Sequence, residues 1–111
     1  MKMSVFGLVY VGCVSAACLA RDGHKVVGVD VNAQKLELVR AGRSPVIEPG
    51  LDELVREGSR SGRLSVSADS AEAVCATDMS VICVGTPSNG NGSLCLRHIE
   101  NVCAEIGAAL A

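Results

Sequence analysis

The opening of the chain constrains its fold more than any other feature. Lys2 to Phe6 is a short run suited to a β-strand, and the turn Gly7-Leu8-Val9-Tyr10-Val11-Gly12 follows it directly. Val11 to Arg21, rich in Ala, Val, Cys and Leu, reads as a helix stopped by Asp22-Gly23. A second β-branched run, Lys25 to Val29, then ends on Asp30. A strand, a glycine turn, a helix and a second strand form a βαβ unit, whose two strands lie parallel in one sheet with the helix across its face.

The alternation continues. Asn32 is a good N-cap for a helix carrying Leu36, Leu38 and Val39 as far as Gly42. Two prolines exclude regular structure from Arg43 to Gly50, and Leu51, Leu54 and Val55 then recur at helical spacing. Leu64 to Ser67 is expected as a strand, Asp69 as the cap of a helix running through Ala76, and Ser80 to Val84 as an apolar strand ending at Gly85. After the turn-rich segment Thr86 to Gly92, the residues Ile99, Val102, Cys103 and Ile106 mark one face of a last helix. The fold class is therefore α/β, a Rossmann-type doubly wound parallel sheet whose ligands bind along the carboxyl edge of the strands. We expect one domain over residues 1–111, the N-terminal fragment of a larger protein, because 111 residues are few for an enzyme with two substrates and Ala108-Ala109-Leu110-Ala111 carries no helix-stop signal.

Composition narrows the partners. The chain is 49% hydrophobic with one Tyr, one Phe and no Trp, so its core must be aliphatic, as suits a parallel sheet buried on both faces. Ten basic against twelve acidic residues, without a Lys/Arg cluster, argue against nucleic acid. The apolar stretch from Val5 to Leu19 is interrupted by Gly7, Gly12 and Ser15 and is too short to span a bilayer; Arg21-Asp22-Gly23-His24 stands where a signal peptide would need a cleavage site. We expect a cytoplasmic protein without a membrane partner. None of the six cysteines forms a C-x-x-C pair, and they read as reduced thiols filling apolar space rather than as a metal site. His24 and His98 have no nucleophile or carboxylate at triad spacing, and no catalytic residue is assigned.

The chemistry sits in the turn. In G-x-G-x-x-G, the first glycine allows a tight turn, the second lets a pyrophosphate approach the backbone and the third lets the helix pack on the strand. Gly7 and Gly12 occupy the first and third positions, but the second is Val9. Alone, this pattern is equally compatible with a structural glycine turn. Asp30, 18 residues past Gly12 at the end of the second strand, tips the reading, because a carboxylate there accepts hydrogen bonds from a ribose hydroxyl and repels a 2′-phosphate, favouring NAD. Its simpler role is to cap the next turn. Val84-Gly85-Thr86-Pro87 ends another strand at the same edge, where Thr86 could face a cofactor or merely close a turn. An S-adenosylmethionine methyltransferase also pairs a glycine turn with an acidic residue, though the Gly7 to Gly12 spacing and the VGTP strand end speak against it.

Read together, FGLVYVG (6–12), GVDVN (28–32), SPVIEPGLDEL (44–54) and ICVGTPSNGNGSL (82–94) resemble the N-terminal domain of the UDP-glucose/GDP-mannose dehydrogenase family, over nearly the whole chain. Ser44-Pro45 before Glu48-Pro49-Gly50, with Asn91-Gly92 and Val102-Cys103, look more like the GDP-mannose than the UDP-glucose 6-dehydrogenases. The resemblance implies an NAD-dependent oxidation of a nucleotide sugar's C6 alcohol to a carboxylate in two hydride transfers, through a cysteine adduct, with products that feed polysaccharides such as alginate. It implies Tyr10 and Val11 at the pyrophosphate, Asp30 at the adenosine ribose, Lys35 on the adenosine side and Thr86 at the nicotinamide half. It places the nucleophilic cysteine in a downstream domain, so residues 1–111 alone should not turn over, and it implies a homodimer formed by segments beyond them. Two positions depart from the family pattern: Cys95, where aspartate is usual, and Val9. Val9 is the serious one: a β-branched side chain dislikes positive φ and intrudes on the phosphates, and strain of about 1–3 kcal/mol there predicts weakened NAD binding. A degenerate domain that binds nothing is the remaining alternative.

Overall fold

The computed structural model describes residues 1–83 and 97–110, without the side chains of Arg97 and His98. Nine elements alternate along it: β1 (Lys2–Phe6), α1 (Tyr10–Arg21), β2 (Lys25–Val29), α2 (Ala33–Arg40), α3 (Leu51–Ser61), β3 (Leu64–Ser67), α4 (Ser70–Cys75), β4 (Met79–Ile82) and α5 (Arg97–Leu110). The strands form one parallel sheet in the order β3-β2-β1-β4. The chain winds from β1 through β2 to β3 and then crosses back to β4 on the other side of β1, so the reversal of winding falls beside β1, where the glycine turn emerges.

Successive residues of β1 face opposite layers, as a strand requires. Val5 joins the larger core with Ala16, Ala17 and Ala20 of α1 and Val55 of α3. Phe6 joins the smaller one with Val29, Ala73 and Val74, onto which α5 packs Val102, Ile106 and Ala109. The sheet is thus sandwiched, and a small residue lets α3 approach β3 and α1 closely. Adding a Cβ to Gly58 would bring it 2.9 Å from Leu64 Cβ and 3.5 Å from Ala20 Cβ. A polar residue also lies in the central strand: Ser4 is fully buried, and its hydroxyl pairs with Ser80 Oγ at 2.7 Å and accepts from Thr77 Oγ1 at 3.1 Å. The pairing removes the cost of burying an unbonded hydroxyl.

The helix caps follow the residue types. Asn32 Oδ1 accepts from the amides of Gln34 and Lys35, and Asp69 Oδ1 from that of Glu72. Three expectations need correction. The apolar face of α5 is Val102, Ile106 and Ala109, spaced four and three apart; Cys103, one residue round the helix from Val102, is exposed. Cys75 is exposed as well, so these two thiols do not act as core hydrophobes, whereas Cys13 is buried. The fourth strand begins one residue earlier than expected, and Val84 lies outside the described residues. No helix among the described residues is long and apolar enough to cross a membrane.

Candidate functional site

The carboxyl ends of β1 and β2 meet at a junction built from Gly7, Leu8 and Asp30. Gly7 leaves β1 at φ +99°, a conformation that costs residues with a Cβ, and its amide donates to Val29 O at 2.8 Å. Leu8 then turns its side chain into the core, where it fills the space over Gly28; a Cβ on Gly28 would stand 2.9 Å from Leu8 Cδ2. The Leu8 amide donates to Asp30 Oδ2 at 2.8 Å, while Asp30 Oδ1 accepts from the amide of Asn32 at 2.8 Å. Asp30 therefore closes the turn into α2 and ties the glycine turn to the end of β2. The capping role foreseen for it is real, and it does not exhaust the group: an ionised carboxylate offers about four lone-pair positions, of which two are used here.

Val9 is the N-cap of α1, at φ −82° and ψ −173°. That is extended backbone, and no residue other than glycine has positive φ among the described residues. The expected backbone strain at Val9 is thus absent. The tight step of the turn falls on Gly7, one position where glycine is present, and the second glycine position needs only room. Val9 has no side-chain acceptor for the amides of the first turn, and that turn carries no acidic residue. The first intrahelical bond runs from Cys13 N to Val9 O at 2.8 Å. The helix start consequently presents donors and the positive end of its dipole without a built-in anion.

Gly12 sets how close α1 comes. A Cβ there would lie 1.8 Å from Gly7 O and 3.1 Å from Cys83 Cβ. Tyr10 and Val11 stand on the open side of the first turn, about half and two-thirds exposed, and the Tyr10 hydroxyl donates to Glu48 Oε2 at 2.6 Å. This bond joins the start of α1 to the Ser44–Gly50 loop, which is itself held by Asp52 Oδ1 accepting from the Ser44 amide at 2.7 Å. Hydrogen bonding to Glu48 pushes the Tyr10 phenol above its ordinary value, burial and the Glu48 charge adding to the effect.

On the other side of the junction lies a cavity of about 320 Å3, bounded by Gly7, Asp30 and Val31 on the strand ends and by Ser70, Asn101 and Glu105 on α4 and α5. Its volume is at the lower end of the range of about 300–1,000 Å3 that small-molecule sites occupy. Of the residues expected at a cofactor, Gly7 and Asp30 line this cavity, and Tyr10, Val11 and Gly12 form the adjoining helix start. Lys35 sits half-buried on α2 and does not line it. Thr86 lies outside the described residues. His24 packs beside the chain terminus, its Nδ1 3.2 Å from the Met1 amino group. Sequence reasoning missed Ser70, Asn101 and Glu105, although Asn101 and Glu105 stand four apart on one helix and share a face.

An uncapped helix start beside a glycine turn, a carboxylate with free lone pairs and an adjoining cavity fit a dinucleotide. The model of the UDP-glucose/GDP-mannose dehydrogenase family, NAD binding domain, matches residues 1–111. The chain belongs to this family. Its domain of the family is the one that binds NAD. A GDP-mannose 6-dehydrogenase of Pseudomonas syringae pv. syringae is 54% identical over 110 residues, 99% of this chain and 25% of that protein. The structure of a ternary complex of GDP-mannose dehydrogenase from Pseudomonas aeruginosa superposes with a TM-score of 0.98 at 53% identity, covering 99% of this chain and 25% of that one. A UDP-glucose dehydrogenase from Pyrobaculum islandicum gives 0.93 at 46% identity, over 97% of this chain and 25% of that one. The chain thus spans about a quarter of the length of the relatives it matches.

Proposed function

We propose that residues 1–111 are the NAD-holding domain of a cytoplasmic GDP-mannose 6-dehydrogenase, in which the junction of Gly7, Leu8 and Asp30 is the anchor of the cofactor. The observation that carries the reading is the division of labour at Asp30: one oxygen fixes the turn, one fixes α2, and two lone pairs remain to accept from ribose hydroxyls. The uncapped amides at Tyr10, Val11 and Gly12 receive the pyrophosphate, as helix starts do. Lys35 serves the adenosine side from α2, and Thr86 the nicotinamide half. Bound NAD supplies the hydride acceptor for oxidation of the C6 alcohol. The sugar nucleotide, the nucleophilic cysteine and the dimer contacts belong to the rest of the enzyme, so no turnover is expected from this chain alone. GDP-mannose is preferred to UDP-glucose because identity is 53–54% to GDP-mannose dehydrogenases against 46% to the Pyrobaculum enzyme.

Val9 weakens binding only through its side chain, since the backbone carries no strain for glycine to relieve. Titrating NAD by calorimetry into the chain and into Val9→Gly tests both points. Both should bind, Val9→Gly more tightly by no more than about tenfold, or about 1.4 kcal/mol. Binding by Val9→Gly alone would make this a disabled copy, and binding by neither would refute the cofactor role.

A further inference from the structure

Asp30 is not the only acid at the cavity beside the glycine turn. Glu105 faces it from α5, and the other bounding residues include no Lys, Arg or His among those described. Its position is set twice over. Val102 and Ile106 seat α5 on Phe6, Val29, Ala73 and Val74, which turns the neighbouring face, with Asn101 and Glu105, towards the cavity. Ser70, which opens α4, donates its hydroxyl to Glu105 Oε2 at 2.6 Å. The bond ties one oxygen of the exposed Glu105 carboxylate to the start of α4 and leaves Oε1 without this donor.

Two carboxylates lining one cavity, with no compensating cation among its described lining, make it a poor host for added negative charge. A 2′-phosphate on the adenosine ribose adds about 1.5–2 negative charges at neutral pH. Resting on the NAD reading above, we infer that Glu105, clamped by Ser70, is a second determinant of cofactor choice and acts with Asp30 to reject dinucleotides that carry a 2′-phosphate. The effect of Glu105 is one of charge across a solvated gap, so it is modest and screened by salt. Asp30, by contrast, also contacts the turn directly.

The test measures binding of NADH and NADPH to the unaltered chain, to Glu105→Gln and to Glu105→Lys at low ionic strength, following the fluorescence of the reduced nicotinamide. The ratio of the two dissociation constants is the readout, because a loss of packing weakens both ligands alike. Glu105→Gln keeps an acceptor for Ser70 and should narrow the preference for NADH about three- to tenfold; Glu105→Lys should narrow it further, and added salt should shrink both changes. An unchanged ratio in both variants, with NADH still bound, overturns the role of Glu105 and leaves the NAD reading standing. Equal weakening of NADH and NADPH overturns it as well. Failure of every chain to bind NADH overturns both.

Discussion

Replacing Gly12 by alanine is the sharpest perturbation of the turn. The new Cβ would fall 1.8 Å from the carbonyl oxygen of Gly7 and 3.0 Å from its carbon, both backbone atoms. Flexible side chains can yield to overpacking at about 1–3 kcal/mol, but this carbonyl belongs to a turn pinned by Gly7 N to Val29 O and by Leu8 N to Asp30, so the cost rises to about 3–5 kcal/mol. Alanine's better helix propensity returns about 1 kcal/mol, for a net loss of about 2–4 kcal/mol. With a denaturant slope of about 2 kcal/mol per molar, the urea midpoint followed by circular dichroism should drop by about 1–2 M. Gly107→Ala is the matched control: it lies inside α5, nothing stands within 4 Å of its added Cβ, and it should raise the midpoint by a few tenths molar, about 0.5–1 kcal/mol. If Gly12→Ala unfolds with the unaltered chain, or the two glycines respond alike, the packing of α1 on the turn is not what holds the junction together.

Three further outcomes follow from the same geometry. Asp30→Asn should cost about 1–3 kcal/mol and weaken NAD, because its amide nitrogen must face one of the two backbone donors that the carboxylate now accepts; calorimetry and urea unfolding report both losses. Tyr10 is the only tyrosine, so tyrosinate absorbance reads it directly, and it should titrate above 10.0 in the folded chain and move back towards that value in Glu48→Gln. Since the folded phenol is the one shifted upward, its tie to Glu48 is intact below pH 10.0 and disappears as pH rises through the folded value. Among the described thiols, the exposed Cys75 and Cys103 should take up a maleimide first and Cys13 last, its thiol being buried and burial raising its proton affinity, as peptide mapping would show.

Much of this was legible in the residues because it is local. Asn32 and Asp69 cap the helices that follow them, and a β-branched run marks β2, since each signal spans a single turn or strand. The site was legible only in outline. Gly7 takes the positive φ of the tight turn and Gly12 the close approach of helix to strand, the separate demands the motif makes of them, whereas the second glycine position, Val9, has extended backbone. The strain expected at Val9 is absent because its φ is −82°. What Asp30 does depends on an amide 22 residues away, and the clamp on Glu105 comes from a serine 35 residues away; neither distance leaves a trace in spacing. Cys103 was misplaced because apolar spacing alone gives a helix face to within one residue.

The Gly7-Leu8-Asp30 junction and the start of α1 are proposed to hold the dinucleotide. Amide resonances of the isotope-labelled chain, followed while NAD is added, test this directly. Saturable shifts are expected, concentrated at Leu8 to Gly12, at Asp30 and Val31, and at Asn101 and Glu105 of the same cavity. Absence of saturable shifts, or shifts gathered away from the carboxyl ends of β1 and β2, would contradict this placement of the dinucleotide.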